Sequence, residues 1–141
     1  MKIADILRHK GAEVATIAPS GAVDELLQAL AEHNVGALVV SDGGSVVGIV
    51  SERDIVRRLH ARGAAILTDP VSDIMTTPVV SCSRHDGVDV VAETMTNRRI
   101  RHMPVIDDGT LVGIVSIGDV VSSQIRQLEH DRGQLEQYIT G

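Results

Sequence analysis

The chain has almost no aromatic side chains. Its 141 residues include no tryptophan, no phenylalanine and one tyrosine, Tyr138, although 43% of them are hydrophobic. The core must therefore be packed from Val, Ile, Leu, Ala and Met, which favours strands rich in β-branched residues. Binders of single-stranded nucleic acid stack bases on aromatic rings, and the formal net charge of −6 opposes non-specific binding to a polyanion. We therefore expect no nucleic-acid partner.

Cysteines, long apolar runs and clustered metal ligands are also scarce. Cys82 is the only cysteine, which excludes an internal disulfide and a cysteine-based zinc cluster. We interpret it as a small core residue, because no adjacent histidine or helix start would activate it as a nucleophile. The histidines are scattered, and no apolar run approaches the ~18 residues of a membrane span or forms a signal peptide. The sequence predicts a cytoplasmic protein with no metal site, no catalytic constellation and no membrane partner.

One heptapeptide occurs twice. Residues 48–54 read GIVSERD, and residues 113–119, which follow by 65 positions, read GIVSIGD. The same offset aligns 14–56 with 79–121 without a gap, and 13 of these 43 pairs are identical, nine of them among the last fifteen. The repeat therefore predicts two related units, each most constrained at its end.

Each unit has the pattern strand, helix, strand, strand, helix. A short apolar piece precedes apolar residues at helical spacing, and two β-rich runs then flank a turn of Asp and Gly. A second helix begins at the serine of each heptapeptide. The predicted strands are 14–18, 36–41 and 45–50 in the first unit and 79–83, 102–106 and 111–115 in the second.

These patterns predict an α+β fold made of two repeats. We place the first repeat, with its N-terminal segment, at 1–63 and the second at 72–141. The residues between them, 64–71, contain turn formers and read as a linker. A looser echo of the repeat sets ADIL (4–7) beside SDIM (72–75).

The serine and aspartate of each heptapeptide stand at a helix start. Backbone N–H groups there lack partners within the helix and favour an anion such as phosphate. We interpret Ser51 and Ser116 as phosphate contacts, and Asp54 and Asp119 as acceptors for two vicinal ribose hydroxyls. The glycine that opens each heptapeptide would let another backbone or a base approach the strand. The spacing is equally typical of a capping box, and the two interpretations are compatible because a ligand can displace a cap.

Two units of this order, each ending in Gly, two apolar residues and Ser-x-x-Asp, resemble the tandem CBS-domain module, also called the Bateman module. Residues 95–121 are similar to the second repeat of such proteins, and LEQYITG (135–141) resembles a subgroup found in bacteria and plant organelles. The resemblance implies two three-stranded sheets related by a pseudo-twofold axis. It also implies two clefts, each able to hold an adenosine compound.

The resemblance further implies which residues line each cleft. Adenine would lie on a short strand edge, and ribose and phosphates would lie at the Ser-x-x-Asp helix start. Arg53 would reach a phosphate, whereas Gly118 would clear space and present its N–H. The first cleft would comprise Thr16, Ile17, Leu38, Ser51, Arg53 and Asp54. The second would comprise Ser81, Cys82, Arg101, His102, Met103, Pro104, Ser116, Ile117, Gly118 and Asp119.

The basic stretch RRIRH, residues 98–102, favours the second cleft as the main site. Arg101 and His102 lead into its strand and would serve a polyphosphate, whereas the first unit carries no charge at the corresponding positions. For the two arginines that open the stretch, a solvated positive face is the alternative interpretation.

The C-terminal helix is longer than one unit needs. Its apolar residues recur at heptad-like spacing, so we predict that they bury against a second copy of the chain in a homodimer. The alternative is that the tail folds back on the N-terminal segment around Ile3, Ile6 and Leu7. The stripe comprises Val121, Ile125, Leu128, Leu135 and Ile139, interrupted by Arg132.

Two classes of function remain. The leading hypothesis is a sensor without a catalytic cofactor, which binds AMP, ADP, ATP or NAD(H) and passes its occupancy to an unidentified regulated enzyme. The alternative is a module that binds no ligand and regulates an enzyme through its dimer surface. A third hypothesis is an S-adenosyl ligand.

Overall fold

Helices and strands alternate in two similar sets along the chain. The structure is a computed structural model and describes residues 1–140. It confirms the α+β fold and, apart from the first strand of the second repeat, the predicted order of elements. The helices are α1 (Ile3–Lys10), α2 (Val23–His33), α3 (Glu52–Arg62), α4 (Val88–Arg98) and α5 (Ile117–Thr140). The strands are β1 (Thr16–Ile17), β2 (Ala37–Asp42), β3 (Ser45–Ser51), β4 (His102–Asp107) and β5 (Thr110–Ser116).

The second repeat lacks a regular first strand. Residues 79–83 were expected to form one, but only Cys82 pairs: its N–H donates to the Pro104 carbonyl at 3.0 Å, and its carbonyl accepts from the Ile106 N–H at 2.8 Å. Pro104 has no N–H to offer, and this shortens the ladder. One sheet therefore has three strands, in the order β1-β2-β3, and the other has two, β4 and β5, instead of the two three-stranded sheets that the resemblance implied.

The pairing register is nevertheless the same in both repeats. Ile17 lies opposite Val40 in the parallel pair of β1 and β2. Cys82 lies opposite Val105 in a parallel bridge, and both residues are displaced by the 65 positions of the repeat. The duplication is thus retained in backbone geometry even where one strand is reduced to a bridge.

The chain forms two compact units whose composition differs from the order of the repeats. Among the described residues, the C-terminal unit comprises Met1–Ala12, Ser81–Asp107 and residues 113–140. The central unit comprises Glu13–Val80 and Asp108–Val112. The predicted repeat boundaries describe the duplication in the sequence, and they stay a prediction. The first repeat was predicted to include the N-terminal segment, but helix α1 belongs to the C-terminal unit.

Backbone hydrogen bonds and apolar burial hold helix α1 in the C-terminal unit. The N–H groups of Ile3 and Ala4 donate to the carbonyls of Asp86 and Arg84, both at 2.9 Å. Ile3 and Ile6 are buried. The N-terminal segment therefore packs with the second repeat, although it precedes the first.

The segment predicted as a linker is part of the core of the central unit. It contains two 3₁₀ turns, Gly63–Thr68 and Val71–Asp73. Ile66 and Val71 are fully buried beside the apolar residues of α2 and β2. The connection between the repeats is therefore a packed segment, because two of its apolar residues contribute to the core.

A glycine admits a side chain on to the strand surface in each unit. A Cβ atom at Gly48 would lie 2.6 Å from the Met75 sulfur and 3.2 Å from the Thr76 carbonyl oxygen. A Cβ atom at Gly113 would lie 2.6 Å from a methyl carbon of Leu7. The sequence predicted that another backbone or a base would approach each glycine closely. At Gly48 the approaching groups are the Met75 side chain and the Thr76 backbone, and at Gly113 it is the Leu7 side chain.

Only the first turns of helix α5 are covered by their own unit. Val120 and Ser123 are buried, and the Ser123 hydroxyl lies 2.9 Å from the Met1 sulfur. Farther along, Leu128, Leu135 and Ile139 are 67%, 62% and 81% exposed. The far half of α5 therefore does not fold back on α1, which overturns that alternative. The last residue of LEQYITG, at position 141, lies outside the described residues.

None of the helices within residues 1–140 combines the length and the apolar character needed to cross a membrane.

We predict that Gly113→Ala lowers the free energy of unfolding by about 1–3 kcal/mol, because its methyl group would overlap Leu7. In a Leu7→Ala background the same change should cost much less, since the overlapping side chain is gone. Urea denaturation of the four proteins measures this coupling. Gly133→Ala is the control: a Cβ there meets nothing within 4 Å, so this position inside α5 should gain about 0.5–1 kcal/mol. An equal cost of Gly113→Ala in both backgrounds would contradict the packing role.

Candidate functional site

Both Ser-x-x-Asp motifs form capping boxes at helix starts. The Ser51 N–H donates to Asp54 Oδ2 at 2.9 Å, and its hydroxyl lies 3.2 Å from the same oxygen. The Ser116 N–H donates to Asp119 Oδ2 at 2.8 Å, and the Asp119 N–H donates back to Ser116 Oγ at 3.2 Å. The capping interpretation is confirmed. The ligand interpretation stays a prediction, which these contacts leave open because a carboxylate accepts up to about four hydrogen bonds.

A second backbone bond ties each helix start to the segment before the preceding hairpin. The Glu52 N–H donates to the Gly36 carbonyl at 3.0 Å, and the Ile117 N–H donates to the Arg101 carbonyl at 2.8 Å. The two bonds are related by the repeat offset. They bring Arg101 beside the start of α5, in the neighbourhood that the sequence predicts for it.

In the central unit, the predicted residues gather at one end of the sheet. Ser51 ends β3 opposite Ala37, which begins β2, and the parallel strand β1 begins at Thr16. Thr16 is exposed and Ile17 is half-buried, so both can meet a ligand. Arg53 is exposed on the first turn of α3.

Asp54 has a further partner that sequence reasoning missed. The Thr76 hydroxyl donates to Asp54 Oδ1 at 3.2 Å. Thr76 is held there by two backbone bonds with Ile49, at 2.8 and 3.1 Å. The carboxylate thus has one oxygen on the helix cap and the other on a neutral hydroxyl.

Asp119 has a different partner, which sequence reasoning also missed. Lys10, the last residue of α1, donates from Nζ to Asp119 Oδ2 at 2.7 Å and to the Ile114 carbonyl at 3.0 Å. Burial raises the pKa of Asp119, but the bonds from Lys10 and from the Ser116 backbone outweigh it, and the net pKa lies below its ordinary value. The carboxylate of the C-terminal unit is therefore ionised and paired.

One sequence signal could have located both partners. When ADIL is aligned with SDIM, Leu7 corresponds to Met75. These two side chains lie on the equivalent glycines of the two units, Gly113 and Gly48. Lys10 and Thr76 follow within three residues of them. The echo therefore marks the segments that deliver a donor to each aspartate.

Several residues predicted to line the adenine slot are buried. Leu38, Cys82 and Met103 are 1%, 7% and 1% exposed. Pro104, which follows Met103, is also buried. Their side chains belong to the cores beneath the strand edges, and direct ligand contact by them stays a prediction. Burial raises the pKa of Cys82 to about 12, so its thiol is neutral at physiological pH.

The side chains expected to meet phosphates are accessible. Arg101 is exposed and His102 is half-buried at the start of β4. Gly118 is exposed, and a Cβ there would lie 3.6 Å from Ser116 Oγ. Its role in clearing space for a ligand stays a prediction. Both arginines that open the basic stretch are exposed.

In residues 1–140 no group of three or more His, Cys, Asp or Glu side chains is arranged to hold a metal ion.

Comparison with known proteins identifies the family. The sequence model of the CBS-domain family matches residues 3–61 and again residues 71–126. The chain therefore belongs to the CBS-domain family and contains a tandem pair of these domains.

Three similar proteins illustrate the relationship. CBSX3, a mitochondrial CBS domain-containing protein of Arabidopsis thaliana, is 33% identical over 148 residues, which cover 99% of this chain and 72% of CBSX3. The crystal structure of ATU1752 from Agrobacterium tumefaciens is 43% identical, with a TM-score of 0.85, and covers 87% of this chain and 92% of its own. The CBS domain pair of protein MJ0100, solved in complex with 5'-methylthioadenosine and S-adenosyl-L-methionine, is 28% identical, with a TM-score of 0.80. The match covers 90% of this chain and 98% of the MJ0100 chain. The resemblance to bacterial and plant-organelle proteins is confirmed.

The lowered pKa of Asp119 predicts an acid-dependent contribution to stability. A carboxyl group whose pKa is depressed on folding stabilises fully above its unfolded value and loses this contribution as pH falls through the folded value. Asp119→Asn should therefore lower the free energy of unfolding by about 0.5–2 kcal/mol at pH 7, and the difference should shrink towards pH 3. Urea denaturation at pH 7, 5 and 3 measures it. Asp131→Asn, on the exposed part of α5, is the control, and a difference independent of pH would count against the ion pair.

Proposed function

We propose that the chain is a non-catalytic regulatory module that binds an adenosine compound at its Ser-x-x-Asp motifs and passes occupancy to a partner protein. The observation that carries the proposal is the repetition of one geometry. Each unit places a serine and an aspartate at a helix start, beside an accessible strand edge. The known complex of the similar MJ0100 pair with two adenosyl compounds supports the same ligand class.

The energetics favour replacement of the cap by a ligand. A capping side chain contributes about 0.5–2 kcal/mol, whereas each hydrogen bond to a charged group contributes about 1.5–3 kcal/mol. Two ribose hydroxyls on Asp54 or Asp119 therefore outweigh what the helix start loses. The empty site keeps its helix capped, and the occupied site transfers the carboxylate to ribose.

AMP, ADP, ATP and NAD(H) are the nucleotides that we propose as ligands. The serine hydroxyls and the Gly118 N–H would face the phosphates, and Thr16 and Ser81, both exposed, would lie beside adenine. S-adenosyl and thioadenosyl compounds are the second candidate, which the MJ0100 complex favours. A cytoplasmic location stays a prediction.

A sensor also needs an output. A ligand shifts an equilibrium only when it binds one arrangement better than another. The capped and uncapped helix starts are two such arrangements, and α5 begins at one of them and continues into an exposed apolar tail. We propose that a regulated enzyme reads this difference.

Ultraviolet absorbance of the native protein tests the proposal directly. With no tryptophan and a single tyrosine the chain absorbs weakly at 280 nm, so a retained adenine compound would dominate near ~260 nm. Mass spectrometry of the denatured supernatant would identify it. Calorimetric titration of ligand-free protein with AMP, ATP, NADH, 5'-methylthioadenosine and S-adenosylmethionine completes the test. No retained compound and no heat with any of them would favour the interaction module.

Aspartate substitutions separate a ligand contact from a pure cap. We predict that Asp119→Ala and Asp54→Ala each weaken nucleotide binding at their own site by roughly ten- to a hundredfold, because each removes charged hydrogen-bond acceptors. Calorimetric titration gives the affinity of each site. Asp86→Ala is the control, since Asp86 caps the segment before α4 through the Ser83 N–H at 2.9 Å. A lower melting temperature with unchanged affinity would show that the motif aspartates are caps alone.

We also propose that the chain forms a homodimer through the far half of α5. The exposed stripe from Ile125 to Ile139 leaves large apolar side chains in water, and closed twofold dimers are the commonest way to cover such a surface. The proposal would add an interaction surface to the nucleotide sites.

Truncation tests the dimer. The full-length chain should be a dimer in light scattering at micromolar concentration, and a chain that ends after Arg132 should dissociate at concentrations at least tenfold higher, because it loses Leu135, Tyr138 and Ile139. Glu136→Ala, which removes only an exposed ion pair with Arg132, is the control. A full-length monomer would refute the dimer, and an unchanged truncated dimer would move the interface elsewhere.

A further inference from the structure

The two motif aspartates differ in the charge of their neighbour. Asp119 is paired with the Lys10 ammonium at 2.7 Å, and Asp54 accepts instead from the neutral Thr76 hydroxyl at 3.2 Å. The carboxylate and its partner therefore carry no net charge in the C-terminal unit and one negative charge in the central unit. This difference was not visible in the heptapeptides, which contain the same Ser-x-x-Asp.

The position of Lys10 is set by packing. Helix α1 is held by the burial of Ile3 and Ile6, and Leu7 lies on Gly113, one residue before the carbonyl that Lys10 contacts. Its ammonium therefore has two acceptors, Ile114 O and Asp119 Oδ2. The side chains of Lys10 and Asp119 are 32% and 23% exposed, so water screens the pair less than it screens a surface ion pair.

Neighbouring side chains on the two helix starts leave this difference unchanged. Glu52 and Arg53 are adjacent on the first turn of α3 and offset each other. The first turn of α5 has the uncharged Ile117 and Gly118 at these positions. The pairing of Asp119 with Lys10 therefore makes the difference in charge.

We propose that Lys10 makes the C-terminal unit selective for adenosine ligands that carry a negative group next to the ribose, whereas the central unit accepts neutral or cationic thioadenosines. The inference rests on the proposed function, because it assumes that the motif aspartates bind ribose. Lys10 can stay bonded to Asp119 when a ribose binds, because the carboxylate can accept further hydrogen bonds. The 5' substituent of a ribose bound there would lie in the field of the ammonium, which attracts a phosphate and repels a sulfonium.

The test compares AMP with 5'-methylthioadenosine, which share adenosine and differ in the charge of the 5' substituent. Calorimetric titrations in an Asp54→Ala background report the C-terminal site. There we expect Lys10→Met to reduce the affinity for AMP about tenfold and to change the affinity for 5'-methylthioadenosine less than threefold. Lys10→Arg should keep the preference for AMP, which separates charge from a loss of folding.

A reciprocal variant examines the central site. In an Asp119→Ala background, Thr76→Lys should raise the ratio of AMP affinity to 5'-methylthioadenosine affinity several-fold, and S-adenosylmethionine should lose affinity. Arg8→Met is the control for both experiments, because Arg8 is in the same turn as Lys10 but pairs with Asp5 at 3.1 Å.

The outcomes separate this inference from the proposed function. If both ligands bind and their affinity ratio is the same with Lys10 and with Met at position 10, Lys10 does not determine specificity and the inference is overturned. If none of AMP, ATP, NADH, 5'-methylthioadenosine and S-adenosylmethionine binds the unaltered chain, the proposed function fails, and the inference fails with it. A ratio that falls in Lys10→Met, stays in Lys10→Arg and is unchanged in Arg8→Met supports it.

Discussion

The contact between a glycine on a strand and a side chain from another segment of the chain positions the candidate site in both units. Gly113 lets Leu7 lie against β5, and Gly48 lets Met75 lie against β3. Any Cβ at these glycines would overlap a packed side chain, because the gaps are well below van der Waals contact. Once these segments are in place, the residues that follow reach the motif aspartates. The glycine in each heptapeptide is thus required by packing, and it indirectly determines which group faces the carboxylate.

In the proposed function, each motif aspartate combines two uses that compete for the same atoms. It caps a helix through the serine N–H, and it would present its oxygens to a ligand. Because the cap is weaker than two charged hydrogen bonds, the carboxylate could be redirected without unfolding the unit. Occupancy would then change the contacts of the helix start, as a sensor requires.

The duplication retains the backbone and varies the side chains. The bonds to Gly36 and Arg101, and the left-handed residues Asn34 (φ 52°) and Arg99 (φ 54°) that end α2 and α4, are all related by the same offset. Side chains differ between the units at two important places. Pro104 shortens one sheet, and Lys10 pairs a cation with Asp119, whereas Asp54 meets the neutral Thr76 hydroxyl. The consequence is two helix starts with related backbone geometry and unequal charge.

The sequence by itself determined the repeat, the order of elements, the hairpins and the helix starts, because these depend on patterns and hydrogen bonds within a few residues. It also indicated the region of the site, since Ser-x-x-Asp closes its cap over three positions. Tertiary structure alone decided that α1 packs in the C-terminal unit, that Lys10 pairs with Asp119 across 109 positions, and that Leu38 and Met103 are core residues. Such contacts depend on which surfaces meet after folding. The echo between ADIL and SDIM marks the segments involved, but it does not encode which charge pairs with which.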